Sequence, residues 1–228
     1  MVPAPTLTDD DLDVLSRRFG RAHPEAVITW AVEQFHPRLV LATSMTDAVL
    51  VDLAVRVEPA IEVVFIDTGY HFPETLATVD AVRRRYGLNL KVMRAPEPAV
   101  PLWQADPEHC CASLKVALLD DALAGREAWM SGLRRAESPT RAAAPIVSRD
   151  HRGLVKVNPL ATWDDLDVAC YIADRDIVVN PLLDQGYPSI GCAPCTRPVA
   201  PGEHARDGRW DGRKLECGLH PPGPAPAT

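Results

Sequence analysis

Short apolar, β-branched runs alternate with helical patterns through most of the chain, and this alternation limits the fold more than any other feature. Leu39-Val40-Leu41-Ala42 and Ile61-Glu62-Val63-Val64-Phe65-Ile66 read as strands, as do Leu88 to Met93, Trp129 to Leu133 and Leu154 to Val157. Helical spacing of apolar residues lies between them, over Ala48 to Val57, Pro73 to Tyr86 and Ser113 to Ala124. Strands separated by helices of about ten residues or more make βαβ units, which pair in parallel. The expected fold class is therefore α/β, with a doubly wound parallel sheet. Two helices precede the first strand, Asp9 to Phe19 capped by Thr8 and Pro24 to Phe35. A last helix is expected over Trp163 to Asp174, capped by Thr162. From Asn180 onward proline, glycine and charged residues dominate. Residues 1–179 thus read as one α/β domain and 180–228 as a mobile, loop-rich C-terminal segment, with Pro221 to Thr228 disordered.

The chain has 228 residues, 46% of them apolar, enough to bury a sizeable core. Its 24 Lys and Arg against 31 Asp and Glu give a net charge of −7, which argues against nucleic acid or an anionic membrane as partner. No apolar run reaches the roughly 18 residues of a membrane span, and the acidic start MVPAPTLTDDDLDVL lacks the features of a secretory signal. A cytoplasmic protein is expected, and the sequence is compatible with a homo-oligomer.

Ligands of an open parallel sheet bind beyond the carboxyl ends of its strands. Three such loops carry suitable residues. Thr43-Ser44-Met45-Thr46-Asp47 leads from the first strand into a helix, where hydroxyls and free N–H groups suit a phosphate; it also reads as a plain hydroxyl-rich cap. Asp67-Thr68-Gly69 follows the second strand, with Asp67 placed to take ribose hydroxyls or simply to open a turn. Gly132-Leu133-Arg134-Arg135 follows the fourth, and its arginines suit an anion as well as they suit a solvated basic loop.

Five of the six cysteines fall in three groups. Cys110-Cys111 and Cys192-Ala193-Pro194-Cys195 together supply four thiolates, a set open to a [4Fe–4S] cluster, to zinc or to a redox disulfide. Adjacent cysteines favour the cluster, whose separate irons accept neighbouring sulfurs that one tetrahedral zinc would strain. Cys170, inside an apolar helical pattern, is expected in the core. Cys217 lies apart, in Lys214-Leu215-Glu216-Cys217-Gly218-Leu219-His220; it reads either as a nucleophilic thiolate favoured by Lys214 and His220 or as an incidental free thiol. Arg197, Arg206, Arg209 and Arg213 on the same stretch form a basic cluster that reads as a docking surface for a multiply charged anion or as a solvated charge run.

Together these residues resemble the assimilatory sulfonucleotide reductases. The likeness runs from about Leu39 to His220 and is strongest at Ile66-Asp67-Thr68-Gly69-Tyr70-His71-Phe72-Pro73-Glu74-Thr75, at Gly132-Leu133-Arg134-Arg135 with Ser138-Pro139-Thr140-Arg141, and at Glu216-Cys217-Gly218-Leu219-His220. The resemblance implies an adenine-nucleotide α-hydrolase-like fold and reduction of adenylyl sulfate, or of its 3′-phosphorylated form, to sulfite. The four paired cysteines resemble the adenylyl-sulfate branch, in which Cys110, Cys111, Cys192 and Cys195 would hold [4Fe–4S]. Cys217 would be the nucleophile, forming an S-sulfo intermediate that thioredoxin cleaves. Lys115, Arg206, Arg209 and His220 would contact the phosphosulfate, while Thr43, Ser44, Thr46, Asp47, Asp67, Thr68, Gly69, Gly132 and Arg134 would line the nucleotide site. The family's phosphate loop is often of a Ser-Phe-Gly-Ala-Glu-Asp type, and Thr43 to Asp47 is a shorter departure from it. Other readings are an adenylating enzyme of related fold, whose Ser-Gly-Gly-x-Asp-Ser loop is missing here, and a nucleotide-binding iron–sulfur or zinc sensor.

Overall fold

The computed structural model describes residues 7–95, 102–212, 214 and 216–219. Helix α1 (Asp9–Arg18) starts where Thr8 and Asp11 satisfy each other's backbone N–H groups, a reciprocal cap that explains the sharp onset. Helix α2 (Pro24–Phe35) begins with proline at its first position, where a missing N–H costs nothing. Then the βαβ pattern begins: β1 (Leu39–Thr43), α3 (Val49–Val57), β2 (Glu62–Asp67), α4 (Pro73–Tyr86) and β3 (Asn89–Arg94). Short helices α5 (Leu102–Ala105) and α6 (Pro107–Cys111) lead through a π-helical turn, Ala112–Val116, into α7 (Ala117–Leu123). Strands β4 (Ala128–Ser131), β5 (Val147–Arg149) and β6 (Val155–Val157) and helix α8 (Asp165–Arg175) complete the regular structure.

The six strands run in the order β3-β2-β1-β4-β6-β5. The chain moves outward from β1 to β3, then returns to place β4 on the other side of β1, with Val40 paired to both Glu62 and Trp129. Strand order therefore reverses between β1 and β4, the crevice where such sheets bind ligands. Side chains alternate across the sheet. Val40, Val64 and Trp129 pack on α7 residues Leu119, Ala122 and Leu123, while Leu39, Leu41, Val63, Phe65 and Met130 join the larger core shared with α1, α2 and α3. The doubly wound expectation holds, with one difference. Strand β5 runs antiparallel to β6 at the sheet edge, joined through a turn in which Asp150 and Leu154 pair. Its three residues, Val-Ser-Arg, carry too little periodicity to read as a strand.

Two local expectations are corrected. Helix α8 is capped by Asp164, not Thr162, because the Asp164 carboxylate accepts the N–H groups of both Leu166 and Asp167 at 2.9 Å. Cys170 is exposed rather than buried. Val168, Tyr171 and Ile172 lean on the core, and helical geometry puts Cys170 on the opposite face. The expected disorder of Pro221 to Thr228 lies outside the described residues. No helix among the described residues is long and apolar enough to cross a membrane.

Candidate active site

A cleft of about 490 Å³ opens over the carboxyl ends of β1, β2 and β4. Thr43, Ser44, Thr46 and Asp47 line it. The loop turns at Met45, a fully buried side chain whose φ of 56° is rare outside glycine. With Met45 plugged into the core, the flanking hydroxyls of Ser44 and Thr46 face the cleft, 3.2 Å apart. Asp47 accepts the Val49 N–H at 3.0 Å, and burial pushes its carboxyl above the usual range. Apolar walls come from Leu50, Phe65, Trp129 and Leu133, a lining suited to a purine ring.

The second loop takes another course. Asp67, Thr68 and Gly69 do not line this cleft. Asp67 is buried, accepting the Gly69 N–H at 2.9 Å and Arg94 Nε at 3.1 Å, while Gly69 turns with φ 76°. Thr68 instead places its hydroxyl 3.3 Å from Cys192 Sγ. From the same loop it is His71 that reaches the cleft. Its Nε2 donates to the Ile66 carbonyl at 2.9 Å, and burial holds its pKa below the usual histidine value, so the ring is neutral with Nδ1 as acceptor.

Gly132 and Arg134 line the cleft beyond β4. Arg134 donates to Asp165 at 2.8 Å, whereas Arg135 turns away to the Ala144 carbonyl at 2.8 Å. Residues after Asn180 close the rim. Lys115, Arg206, Arg209 and Cys217 all line the cleft, and His220 lies outside the described residues. Lys115 is half-buried. Desolvation alone would lower its pKa, but the Cys192 and Cys217 thiolates outweigh this and the ammonium is favoured. Arg209 is buried, and desolvation pulls its pKa down; it donates to Ser189 Oγ at 3.1 Å and lies 4.4 Å over the Trp210 ring.

Arg209 rests directly on Gly191, where an added Cβ would lie 2.0 Å from Arg209 Nη2. Gly191→Ala should therefore displace the guanidinium, and because only a side chain must move, the chain should still fold. The expected result is a KM for the anionic substrate raised about tenfold, equivalent to losing one charge-assisted contact, at an unchanged melting temperature. An unchanged KM would place Arg209 away from the substrate.

A second, smaller cavity adjoins the cleft, and Lys115 and Arg209 line both. Cys110, Cys111, Cys192 and Cys195 meet here, walled by Tyr70, Trp103 and Trp210. The first pair ends α6, and the π-helical turn that follows carries Lys115, five residues beyond Cys110, back to the same cavity. The second pair sits in a tight turn in which the Cys195 N–H reaches the Cys192 carbonyl at 3.0 Å, anchored by the Ala193 N–H on Tyr70. Burial pushes the Cys110 thiol up to about 11, helped by Cys111, Cys192 and Cys195. Four thiols this close cannot all ionise without a cationic partner. Among the described residues no three His, Cys, Asp or Glu side chains converge in a way that suits one metal ion.

The phosphoadenosine phosphosulfate reductase domain family matches residues 38–198, which takes in the whole sheet, the cleft loops and both cysteine pairs. The chain belongs to this family. Among its relatives, the adenosine 5′-phosphosulfate reductase of Rhodococcus opacus is 46% identical over 238 residues, covering 93% of this chain and 96% of that protein. The adenosine 5′-phosphosulfate reductase of Mycobacterium tuberculosis is 52% identical over 193 residues, covering 79% of this chain and 75% of its own. The crystal structure of a phosphoadenylyl-sulfate reductase from Candida auris superposes with a TM-score of 0.76 at 28% identity, covering 85% of this chain and all of that one.

The site of this family member contains residues that the sequence did not single out for it. Met45 shapes the Thr43–Asp47 loop, and Trp210, itself at φ 51°, supports Arg206, Arg209 and Lys214 at 5.5, 4.4 and 5.6 Å from its ring. Three basic residues at 206, 209 and 214 around one tryptophan were a usable signal. The left-handed turn that stacks them was not.

Proposed function

We propose that this chain reduces adenylyl sulfate to sulfite and AMP, with Cys217 as nucleophile and thioredoxin as reductant, in assimilatory sulfate reduction in the cytoplasm. The observation that carries this reading is the presence of Cys217 in one nucleotide-sized cleft with Lys115, Arg206 and Arg209, at the point where strand order reverses. Residues 1–179 would then form the nucleotide-binding body and 180–228 the segment that brings the Cys-x-x-Cys pair and the nucleophile to it.

The chemistry follows from charge. The adenine enters the apolar walls, Ser44 and Thr46 face the phosphate, and Gly132 and Arg134 line the rim near the ribose. The Cys217 thiolate attacks the sulfate sulfur, forming an S–S bond as the sulfur–oxygen bond to AMP breaks and AMP leaves with the electron pair. Negative charge gathers around the attacked sulfur and on the departing phosphate. Lys115, Arg206 and Arg209, with His220 by family resemblance, offset it from a partly dry site. One thioredoxin thiolate then attacks Cys217 Sγ, and sulfite leaves with the electrons of the S–S bond. The second thiol resolves the mixed disulfide and restores Cys217. The dithiol thus supplies both electrons.

Cys110, Cys111, Cys192 and Cys195 fit a [4Fe–4S] cluster: they bring four thiols to the lining of one cavity, and a cluster's separate irons accept the neighbouring sulfurs of an adjacent pair. Bound there, the cluster would supply fixed charge and rigidity beside Lys115. The reading is tested by sulfite release from anaerobically purified protein with reduced thioredoxin, adenylyl sulfate and 3′-phosphoadenylyl sulfate being compared in parallel. Preference for adenylyl sulfate is expected. Preference for the phosphorylated form would keep the mechanism and overturn the substrate, and no sulfite from either would overturn the function.

A further inference from the structure

Glu216 precedes Cys217, and its carboxylate sits in a cradle with no counterpart elsewhere among the described ion pairs. Five donors converge on its two oxygens. Thr140 Oγ1 donates to Oε1 at 2.8 Å, Ser138 Oγ at 3.3 Å and Arg141 Nε at 2.9 Å, while Oε2 accepts Arg141 Nη2 at 2.8 Å and Arg206 Nη2 at 3.2 Å. The Arg141 fork is therefore bidentate, the geometry that makes such pairs strong and directional. Both partners are deeply set, with 10% of each side chain exposed, and Arg141 is braced in turn by Glu137.

This placement is costly on electrostatic grounds. A carboxylate one residue from the nucleophile, at the edge of a cleft built for a multiply charged anion, would repel that anion. It is tolerated because two guanidiniums neutralise it, so its contribution must lie in geometry. Beyond this carboxylate, the partly buried Leu219 packs against the α7 cluster. The hydrogen bonds from Ser138, Thr140 and Arg141 span 75 to 78 residues of sequence, from the loop after β4 to the tail, whereas Arg206 lies only 10 residues away in the tail itself.

We propose that Glu216 is a positioning residue, a latch whose seating in the Ser138–Thr140–Arg141–Arg206 cradle holds Cys217 in the cleft for attack and whose release lets Cys217 out. The inference rests on the reading that Cys217 is the nucleophile of a two-stage reaction, because the two stages make opposite demands. Attack on the nucleotide needs Cys217 inside the cleft. Sulfite release needs Cys217 to meet the dithiol of another protein, which a cleft of about 490 Å³ does not admit. A latch of hydrogen bonds and charge, with little apolar burial, opens without unpacking the core.

The test compares Glu216→Gln, which keeps the shape and removes the charge, with Thr140→Val, which removes one hydroxyl and leaves both arginine contacts. Two readouts are taken on the full-length, anaerobically purified protein. The first is the rate of iodoacetamide alkylation at Cys217, mapped by mass spectrometry. The second is the pair of half-reactions: AMP released in a single turnover without reductant, and sulfite released by reduced thioredoxin from enzyme already sulfonated. Glu216→Gln should speed alkylation and slow AMP release by about tenfold each, the worth of a charge-assisted contact, without slowing the sulfite step. Thr140→Val should shift both in the same direction by less. Alkylation and AMP release at parent rates in both variants would overturn the latch, as would equal slowing of the two half-reactions. Faster alkylation in Glu216→Gln, together with no sulfite from the parent protein, would leave the latch standing and bring down the reaction assigned to it.

Discussion

Cys217→Ser should release no measurable sulfite from adenylyl sulfate, a loss on the order of 10⁴-fold or more, while still binding the nucleotide. A serine hydroxyl is far less ionised at neutral pH and a far poorer nucleophile at sulfur, and it cannot form the S–S bond from which sulfite leaves with its electrons. The cleft walls and the Lys115, Arg206 and Arg209 cations come from other positions, so nucleotide affinity should stay within about threefold of the parent. Cys170→Ser is the matched control: that thiol is exposed on the outer face of α8, and its loss should leave turnover unchanged. A Cys217→Ser protein that still makes sulfite would move the nucleophile elsewhere. A nucleotide-binding sensor would likewise keep its function after this change.

Lys115→Met should be the second-largest effect, lowering the rate of AMP release by about 10²- to 10³-fold with a smaller change in KM. Lys115 sits half-buried where the cleft meets the four-cysteine cavity, and the thiolates around it favour its charged form. A cation fixed there needs no reorganisation as charge develops on the sulfonyl oxygens and on the departing AMP. Methionine keeps the length and apolar stem, so the wall of the cavity that Lys115 shares with Leu114 and Trp103 should survive. Iron content per chain should match the parent, which separates loss of the cation from loss of a cluster. A rate within tenfold of the parent would give Lys115 a structural role only.

The parts of the fold legible in the sequence were those whose cause is local. Strands β1, β2 and β4 are built on short apolar runs, Leu39 to Ala42, Val63 to Ile66 and Ala128 to Met130, α1 announces itself by the Thr8–Asp11 cap, and α2 and α4 begin at Pro24 and Pro73. What escaped depends on partners distant in the chain. Asp67 ends its strand as expected, but the β2–β3 register sets it opposite Arg94, and that pairing draws its carboxylate away from the nucleotide cleft. The π-helical turn at Ala112–Val116 has the composition of an ordinary helix; only the structure shows that it returns Lys115 to the side of Cys110 and Cys111. Glu216 was visible in its motif, as were Ser138, Thr140 and Arg141 in theirs, yet nothing in either stretch says that one receives the other. Cys170 failed for a simpler reason: an apolar helix pattern has two sides, and composition did not say which one faced the core.

Cys217 should take the sulfonyl group from the nucleotide before any electron enters. Anaerobic protein mixed with adenylyl sulfate and no reductant should gain the mass of one SO₃ group per chain, with one AMP released and the adduct mapped to Cys217 by peptide sequencing. Reduced thioredoxin should then remove that mass and liberate one sulfite. Stoichiometric AMP without an adduct on Cys217, or an adduct on another cysteine, would contradict the account.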